Sequence, residues 1–505
     1  MPATRFRPSL ALLTAAVLTT LAALAPIPAT AAAKPAKRPF VYVVVLDGLD
    51  GDAVTSAQAP FMRSLIAGEQ GGAAYFPRSS SVIPAETNPN HTAMMSGAYP
   101  GSSGIAANAF AIYAPLAGED SCRRTGPFDL TALPTATSGE NANCPEAEFT
   151  FEAIRRQGDP KRIVSAGIFG KPKLGRIFAG QNFRRGSYDA DYLWAPCDDG
   201  ADDDRYCEQV PTNPATGYAA DDSIVMDEVV RTVTDGVRKR GKTRRPNFTF
   251  VNLPQIDSAG HASGRSPAYD SAVTLADTQI ERLVGTLRDE GVWKRSVVML
   301  VSDHSMDSTP QKVSLGDAFE ESGIDAGDFL AVQNGSFDSI YLGDRTAGSR
   351  FKLLRRMRAA ALAQDGVDQV LYRRPNPRNG GTRHAVSRVH PEWRTSGARS
   401  SDLIATTDEG YAFSESAGSL PFPIPDPTGN PLLGNHGSPK TADNFLALAG
   451  GSPLIRDGVI RGANRRARPV NVDLAPTVMR LLGLRPPADS KGRFLRRAIR
   501  AKRLR

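Results

Sequence analysis

Four short apolar runs constrain the fold more than any other feature of the chain: FVYVVVL (40–46), RIVSAGIF (162–169), NFTFVNL (247–253) and SVVMLV (296–301). Unbroken β-branched runs, with no polar residue at every second position, are what strands covered on both faces of a parallel sheet require. The segments SIVMDEVVRTVTDGVRKR (223–240) and AVTLADTQIERLVGTLRDEG (272–291) show helical spacing and end in Lys/Arg or Gly, and VDLAPTVMRLLGL (472–484) is a further helix. Strands alternating with helices predict an α/β fold with a doubly wound, mostly parallel sheet. At 505 residues the chain is long for one core, which favours one large domain with insertions. Residues 111–149, 170–222 and 370–435 are richer in Pro, Gly, Asn and charge, and are expected to be insertions forming a small cap. The domain is therefore placed at 38–485, with 486–505 as a basic C-terminal tail.

The first residues carry Arg5 and Arg7, then an Ala-rich apolar run too short for a convincing membrane span, then ATA. That pattern reads as a secretory signal peptide over 1–31, so the mature protein is expected to be extracellular, with no transmembrane segment. Cys122, Cys144, Cys197 and Cys207 fit an oxidising compartment and lack CxxC spacing. Four cysteines permit three connectivities, and sequence proximity favours Cys122 with Cys144 and Cys197 with Cys207. The chain holds 61 basic and 53 acidic residues, yet KGRFLRRAIRAKRLR at the C-terminus alone holds eight of the bases. Basicity therefore marks a tail, which could contact an anionic cell-surface polymer or simply be solvated, and gives no sign of specific nucleic-acid recognition.

The chemistry gathers at the ends of the runs. The first leads into DGLD, the third into PQIDSAGH and the fourth into SDHSMD, so Asp47, Asp257 and Asp303 each follow a strand. In open α/β sheets the carboxyl edge is where ligands bind. His261 follows Asp257 by four residues, His304 adjoins Asp303, and GNHGSP supplies His436. In IPAETNPNH (83–91), Thr87 stands where a helix begins, as an ordinary cap or as a hydroxyl set up to react.

DGLD, TNPNH, GIAANAF, DSAGH, DHSM, NHG and VDLAPT, in this order, resemble the alkaline phosphatase superfamily and, within it, the nucleotide pyrophosphatase/phosphodiesterase family, over about residues 40–485. The resemblance implies that Asp257, His261 and His436 hold one metal ion, and that Asp47, Asp303, His304 and the Thr87 oxygen hold another. It also implies that Thr87 is a covalent nucleophile and that Asn108, in GSSGIAANAF, contacts the phosphate. Ser305 departs from the pattern, since the family has glycine after the Asp-His pair. Carboxylate and imidazole ligands without thiolate suit two divalent ions, with Zn²⁺ the expected metal and Mn²⁺ or Fe acceptable.

The function so implied is a secreted two-metal hydrolase of phosphate esters, acting on phosphodiester or pyrophosphate bonds of a small molecule such as a nucleotide through a phospho-threonine intermediate. A phosphomonoesterase of alkaline phosphatase type is the second reading, and a secreted metal-binding protein without catalysis the third. No arginine adjoins the nucleophile to grip a dianion, which favours the diester. Phe110, Tyr192 and Trp194 are aromatic candidates for its pocket, each otherwise a packing residue. Lys171 and Lys173, in GIFGKPKLG, are either substrate contacts or part of a solvated loop. The acidic stretch CDDGADDDRYC (197–207) lacks the pattern of an EF-hand and reads as a solvated loop.

Overall fold

The computed structural model describes residues 38–500 apart from 115–121, 123–127, 138–143, 158–162, 180–188, 198–205, 212–219, 377–381, 415–418, 421–432 and 462–467. The expected signal peptide and the middle of the acidic stretch lie outside the described residues.

Nine strands form the central sheet: β1 Phe40–Leu46, β2 Gly72–Ser80, β3 Ser165–Phe169, β4 Tyr192–Pro196, β5 Cys207–Glu208, β6 Phe248–Leu253, β7 Ser296–Val301, β8 Asp443–Gly450 and β9 Gly458–Val459. Their order is β9-β2-β8-β7-β1-β6-β3-β4-β5. β8 runs against both neighbours and every other pairing is parallel, giving the mostly parallel α/β sheet expected.

The side chains of β1 explain why the run is unbroken. Val41, Val43 and Val45 enter the hydrophobic cluster on one face, while Phe40, Tyr42, Val44 and Leu46 enter the cluster on the other. β7 divides likewise, Val297, Met299 and Val301 against Val298 and Leu300. With both faces covered, a polar residue at alternate positions would be buried without solvent, so none occurs. Each fully buried side chain of this size contributes about 1.5–3 kcal/mol. The helices Asp222–Thr234 and Pro267–Asp289 cover one face through Val225, Val229, Ile280 and Leu283, and Leu474–Leu481 covers the other through Val478 and Leu481.

The expected insertions have three different fates. Residues 111–149 hold the short strand Thr135–Thr137, paired with Phe110–Ile112, and the disulfide Cys122–Cys144. Residues 170–222 hold the disulfide Cys197–Cys207, but they also supply β4 and β5 and so extend the central sheet rather than capping it. That departure has a plain cause: Leu193, Trp194 and Ala195 form a strand too short and too poor in β-branched residues to stand out in sequence. Much of 370–435 joins residues upstream of it. Val367–Tyr372, Leu403–Thr407, Phe337–Leu342, Phe329–Asn334 and Ser419–Leu420 form a second sheet of five strands. The helix Arg350–Leu362 closes a core of its own there, with Phe319, Phe329, Ile340, Met357 and Leu403.

Nor is the C-terminal segment up to residue 500 a free tail. Leu495, Ala498 and Ile499 are buried in the central core, and Arg456 and Arg500 exchange backbone bonds with Ala498 and Leu454. Apolar residues interleaved among the arginines dock the segment while guanidinium groups such as that of Arg500, on Asp457, stay at the surface. No helix among the described residues is long and apolar enough to cross a membrane.

Candidate active site

Strand register decides where the acids meet. Val45 pairs with Val301, so Asp47 and Asp303, two residues further on each strand, emerge level with one another. Leu46 pairs with Leu253, and Asp257 follows in the first turn of the helix Gln255–Ser263, with His261 one turn later on the same face. Gly48 turns the chain away from β1 with φ +73°, and a Cβ there would stand 2.9 Å from the Asp257 Cα, so only glycine allows this approach. His436 is delivered by a chain held through the pairing of Asn435 with Asp307.

All the residues of the implied metal sites come together, and all are buried. His304 Nε2 lies 3.6 Å from Asp47 Oδ1 and 3.3 Å from Asp303 Oδ2. Asp257 Oδ1 lies 3.5 Å from His261 Nε2, 3.6 Å from His436 Nε2 and 4.0 Å from His304 Nε2. Ligand atoms of Asp257, His304 and His436 fall within 4.8 Å of one another, as do those of Asp47, Asp303 and His304. His304 thus faces both groups, whereas the resemblance implied it for one.

The arrangement fits metal ions. The three histidines turn Nδ1 to backbone carbonyls, His261 to Gly434 at 3.0 Å, His304 to Ser305 at 3.1 Å and His436 to Ala85 at 3.1 Å, so Nε2 is the ligating nitrogen in each. Asp303 spends Oδ1 on the backbone N–H groups of Gly48 and His304, leaving Oδ2 toward the histidine. Asp47 Oδ1, Asp257 Oδ1 and His436 Nε2 are buried with no hydrogen-bond partner among the described residues, an arrangement that is costly without a cation. Two atoms each bound to a tetrahedral Zn²⁺ stand roughly 3.3–3.4 Å apart, close to the shorter separations here.

Electrostatics point the same way for Asp257, Asp303, His261 and His436, but not for Asp47. Burial pushes the Asp47 carboxyl up to about 6, the charges of Asp303 and Asp257 add to that, and Lys171 opposes it. Burial also acts upward on Asp257, but the charges of Lys171, His261, His436 and His304 outweigh it and hold this carboxyl well below its usual range. Asp303 is held down in the same way by His304, His91 and Lys171. Burial, with the charge of His304 adding to it, drives His436 well below the ordinary imidazole range, and burial is the leading cause of the downward shift of His261. Neutral imidazoles and ionised carboxylates are the forms that bind metals.

Thr87 opens the helix Thr87–Ser96, and Glu86, not Thr87, is the residue before it. The hydroxyl caps nothing; its Oγ1 faces His304 Nε2 at 3.4 Å and Lys171 Nζ at 3.4 Å. Asn108 stands beside it, its Oδ1 fixed by the backbone N–H of Asn88 at 2.8 Å, so Nδ2 is the donor end left for a ligand. Glu86 accepts the backbone N–H of Asn108, and burial raises its carboxyl well above the usual value.

Further buried side chains surround this set, and Asn252 among them carried no signal in sequence. His91 donates from Nδ1 to the Thr87 carbonyl at 2.9 Å and receives Asn252 Nδ2 at 3.0 Å, and Asn252 also reaches Asp47 Oδ2 at 2.8 Å. Lys171, expected either to touch substrate or to lie in a solvated loop, is not solvated. Fully buried, it places Nζ 2.9 Å from Asp47 Oδ2 and 2.6 Å from Asp257 Oδ2. The signal was available, since Lys171 follows β3 as the aspartates follow their strands. The aromatic candidates pack elsewhere: Phe110 with Ile105 and Cys122, and Trp194 and Tyr192 against the core beside β3.

A family model described as type I phosphodiesterase / nucleotide pyrophosphatase matches residues 41–439. No curated protein matches the chain significantly. Among solved structures, murine ectonucleotide pyrophosphatase/phosphodiesterase 5, as an inactive variant in complex with AMP, is similar with 16% identity and a TM-score of 0.59 over 89% of this chain and 96% of that one. Human ectonucleotide pyrophosphatase/phosphodiesterase 5 is similar with 15% identity and a TM-score of 0.60 over the same shares.

Proposed function

The chain belongs to the type I phosphodiesterase / nucleotide pyrophosphatase family and is a phosphodiesterase-type hydrolase, and from that premise we propose that it is a secreted two-metal enzyme that cleaves phosphodiester or pyrophosphate bonds through a covalent intermediate on Thr87. The observation that carries this reading is the Thr87 hydroxyl facing His304, the residue that stands in both acid-histidine groups. Asp257, His261 and His436 would hold one divalent ion and Asp47, Asp303, His304 and Thr87 the other, Zn²⁺ being the expected metal. Bound there, the pair supplies Lewis-acid charge that acidifies a hydroxyl and stabilises a leaving oxygen.

The Thr87 oxygen forms a bond to phosphorus as the bond to the leaving oxygen breaks, and the Thr87 proton ends on the leaving group. Water then attacks the same phosphorus, restores the hydroxyl and releases the second product. Asn108 donates from Nδ2 to a non-bridging oxygen, and Asn88 and Glu86 hold it in place. The first turn of the Thr87–Ser96 helix adds partial positive charge beneath the same oxygens. A nucleotide is the proposed substrate class, since the similar murine protein was solved with AMP. Export with loss of residues 1–31 is supported by the two disulfides.

Metal content tests the reading. The purified active protein should hold two transition-metal ions per chain by elemental analysis and lose turnover to a chelator. One ion or none in fully active enzyme contradicts it.

A further inference from the structure

Asn108 lies in the loop between the helix Pro100–Ser103 and the strand Phe110–Ile112. A buried loop with no ladder of its own must pair its backbone groups elsewhere. On the Thr87 side, Asn88 and Glu86 do this: Glu86 takes the Asn108 N–H, and Asn88 Nδ2 donates to the Asn108 carbonyl at 3.4 Å. The other side is held from the second sheet. Asn334 ends the strand Phe329–Asn334, is 2% exposed, and grips Ala109 with both ends of its amide. Its Oδ1 accepts the Ala109 N–H at 2.7 Å, and its Nδ2 donates to the Ala109 carbonyl at 2.9 Å. Only one orientation of the amide serves both bonds. The peptide unit joining Asn108 to Ala109 is thus fixed at its carbonyl by Asn88 and at its N–H by Asn334.

The grip comes from a rigid place. Asn334 stands opposite Phe337 in an antiparallel pair, so the turn between them is only Gly335 and Ser336, with Gly335 at φ +69°. Ser336 donates its N–H to the His436 carbonyl at 2.8 Å, and a Cβ on Gly335 would stand 2.8 Å from the same oxygen. Beside the amide, Ala109 and Ala111 pack in one apolar cluster with Val332 and Tyr341 of the second sheet. One hairpin tip therefore bears on an implied metal ligand and on the residue after Asn108. A donor aimed at developing charge tolerates little error, since a displacement of about 1 Å costs on the order of 100-fold in rate.

We propose that Asn334 is a positioning residue of the reaction, holding the peptide between Asn108 and Ala109 so that Asn108 Nδ2 points at the phosphoryl group. Turnover at the edge of the central sheet then depends on the tip of the second. The proposal rests on the phosphate contact given to Asn108 above.

The test is a double-mutant cycle on zinc-loaded protein with bis(4-nitrophenyl) phosphate, joined by elemental analysis and by calorimetry of orthovanadate binding. Asn334→Ala should lower kcat on the order of 10–100-fold, with KM changed by less than about threefold and two ions per chain retained. Asn108→Ala should lower kcat on the order of 100-fold or more. In the Asn108→Ala background, Asn334→Ala should cost less than about threefold further, because the group it positions is gone. Orthovanadate, whose oxygens take the places of the phosphoryl oxygens, should bind about tenfold or more weakly to each single variant, and no more weakly to the double variant than to Asn108→Ala. Additive losses, a raised KM at unchanged kcat, loss of ions from Asn334→Ala, or an Asn108→Ala protein with unchanged kcat and vanadate affinity would each overturn the proposal. If Asn334→Ala does not fold, Asn334→Asp, of the same size but with an oxygen set against the Ala109 carbonyl, goes through the same cycle with the same expectation. If wild-type protein with two ions does not hydrolyse the diester, the phosphodiesterase reading fails, and the vanadate cycle still decides whether Asn334 acts through Asn108.

Discussion

The carboxyl edge of β1, β6 and β7 and the small second sheet are both buried, yet they are built on opposite principles. The second sheet encloses Phe319, Phe329, Ile340 and Met357, an apolar core with the helix Arg350–Leu362 laid over it. The strand edge encloses three aspartates, three histidines, a threonine and a lysine, with buried oxygens that no hydrogen bond satisfies. One region stabilises the chain; the other is held in place by stability gained elsewhere. Substitutions in the two should therefore separate turnover from folding.

The largest expected effect is at Thr87. Thr87→Ala should lower kcat by a factor on the order of 10³–10⁴ or more with little change in Tm, since the hydroxyl caps no helix, while Thr87→Ser should retain measurable turnover. Phe329→Ala should do the reverse, costing about 3–5 kcal/mol of stability while kcat per folded molecule stays within about threefold. Comparable losses of turnover in both would erase the distinction between the regions.

A smaller effect concerns pH. Asp222, buried beside the edge with its Oδ1 on the Gln255 N–H at 3.1 Å, is raised to about 7, first by burial and then by the charges of Asp221 and Asp47. A carboxyl whose folded value is raised contributes stability that is fully present below its unfolded value of about 3.9 and is lost as pH rises through the folded value. In metal-free protein Asp222 should thus contribute a fall in stability between about pH 4 and 7, with Asp47 and Glu86 acting in the same direction, the depressed His261 and His436 opposing them up to about pH 6.5, and the depressed Asp257 and Asp303 acting only below about pH 4. Asp222→Asn should shrink the fall in Tm across that window by about 2–4 °C. An undiminished fall would show that other groups govern it.

The same contrast explains what could be read from sequence. β1 and β7 appear with their expected limits because each is apolar on both faces, and the acids at their ends follow from the sheet's directionality. β2, with Pro77 and charge in GAAYFPRSS, and β8, whose NFLALAG has no β-branched residue, carry no such signature and form because neighbouring strands pair with them. Lys171 was legible in position but not in environment. In a Gly-Pro loop a lysine reads as solvated, and its burial depends on Thr87 and Asp257, which stand 84 and 86 residues away in the chain. The aromatic candidates show the converse: ring chemistry suggested a pocket, and the fold used Phe110 and Trp194 for packing.

The central claim, that Thr87 is the nucleophile of a double displacement, is tested most directly by the stereochemical course of hydrolysis of a diester made chiral at phosphorus with sulfur and an oxygen isotope. Two successive in-line displacements, first by the Thr87 oxygen and then by water, each invert the phosphorus, so retention of configuration is the expected result. Inversion would mean that water attacks the substrate directly and that the hydroxyl beside His304 and Lys171 does no covalent chemistry.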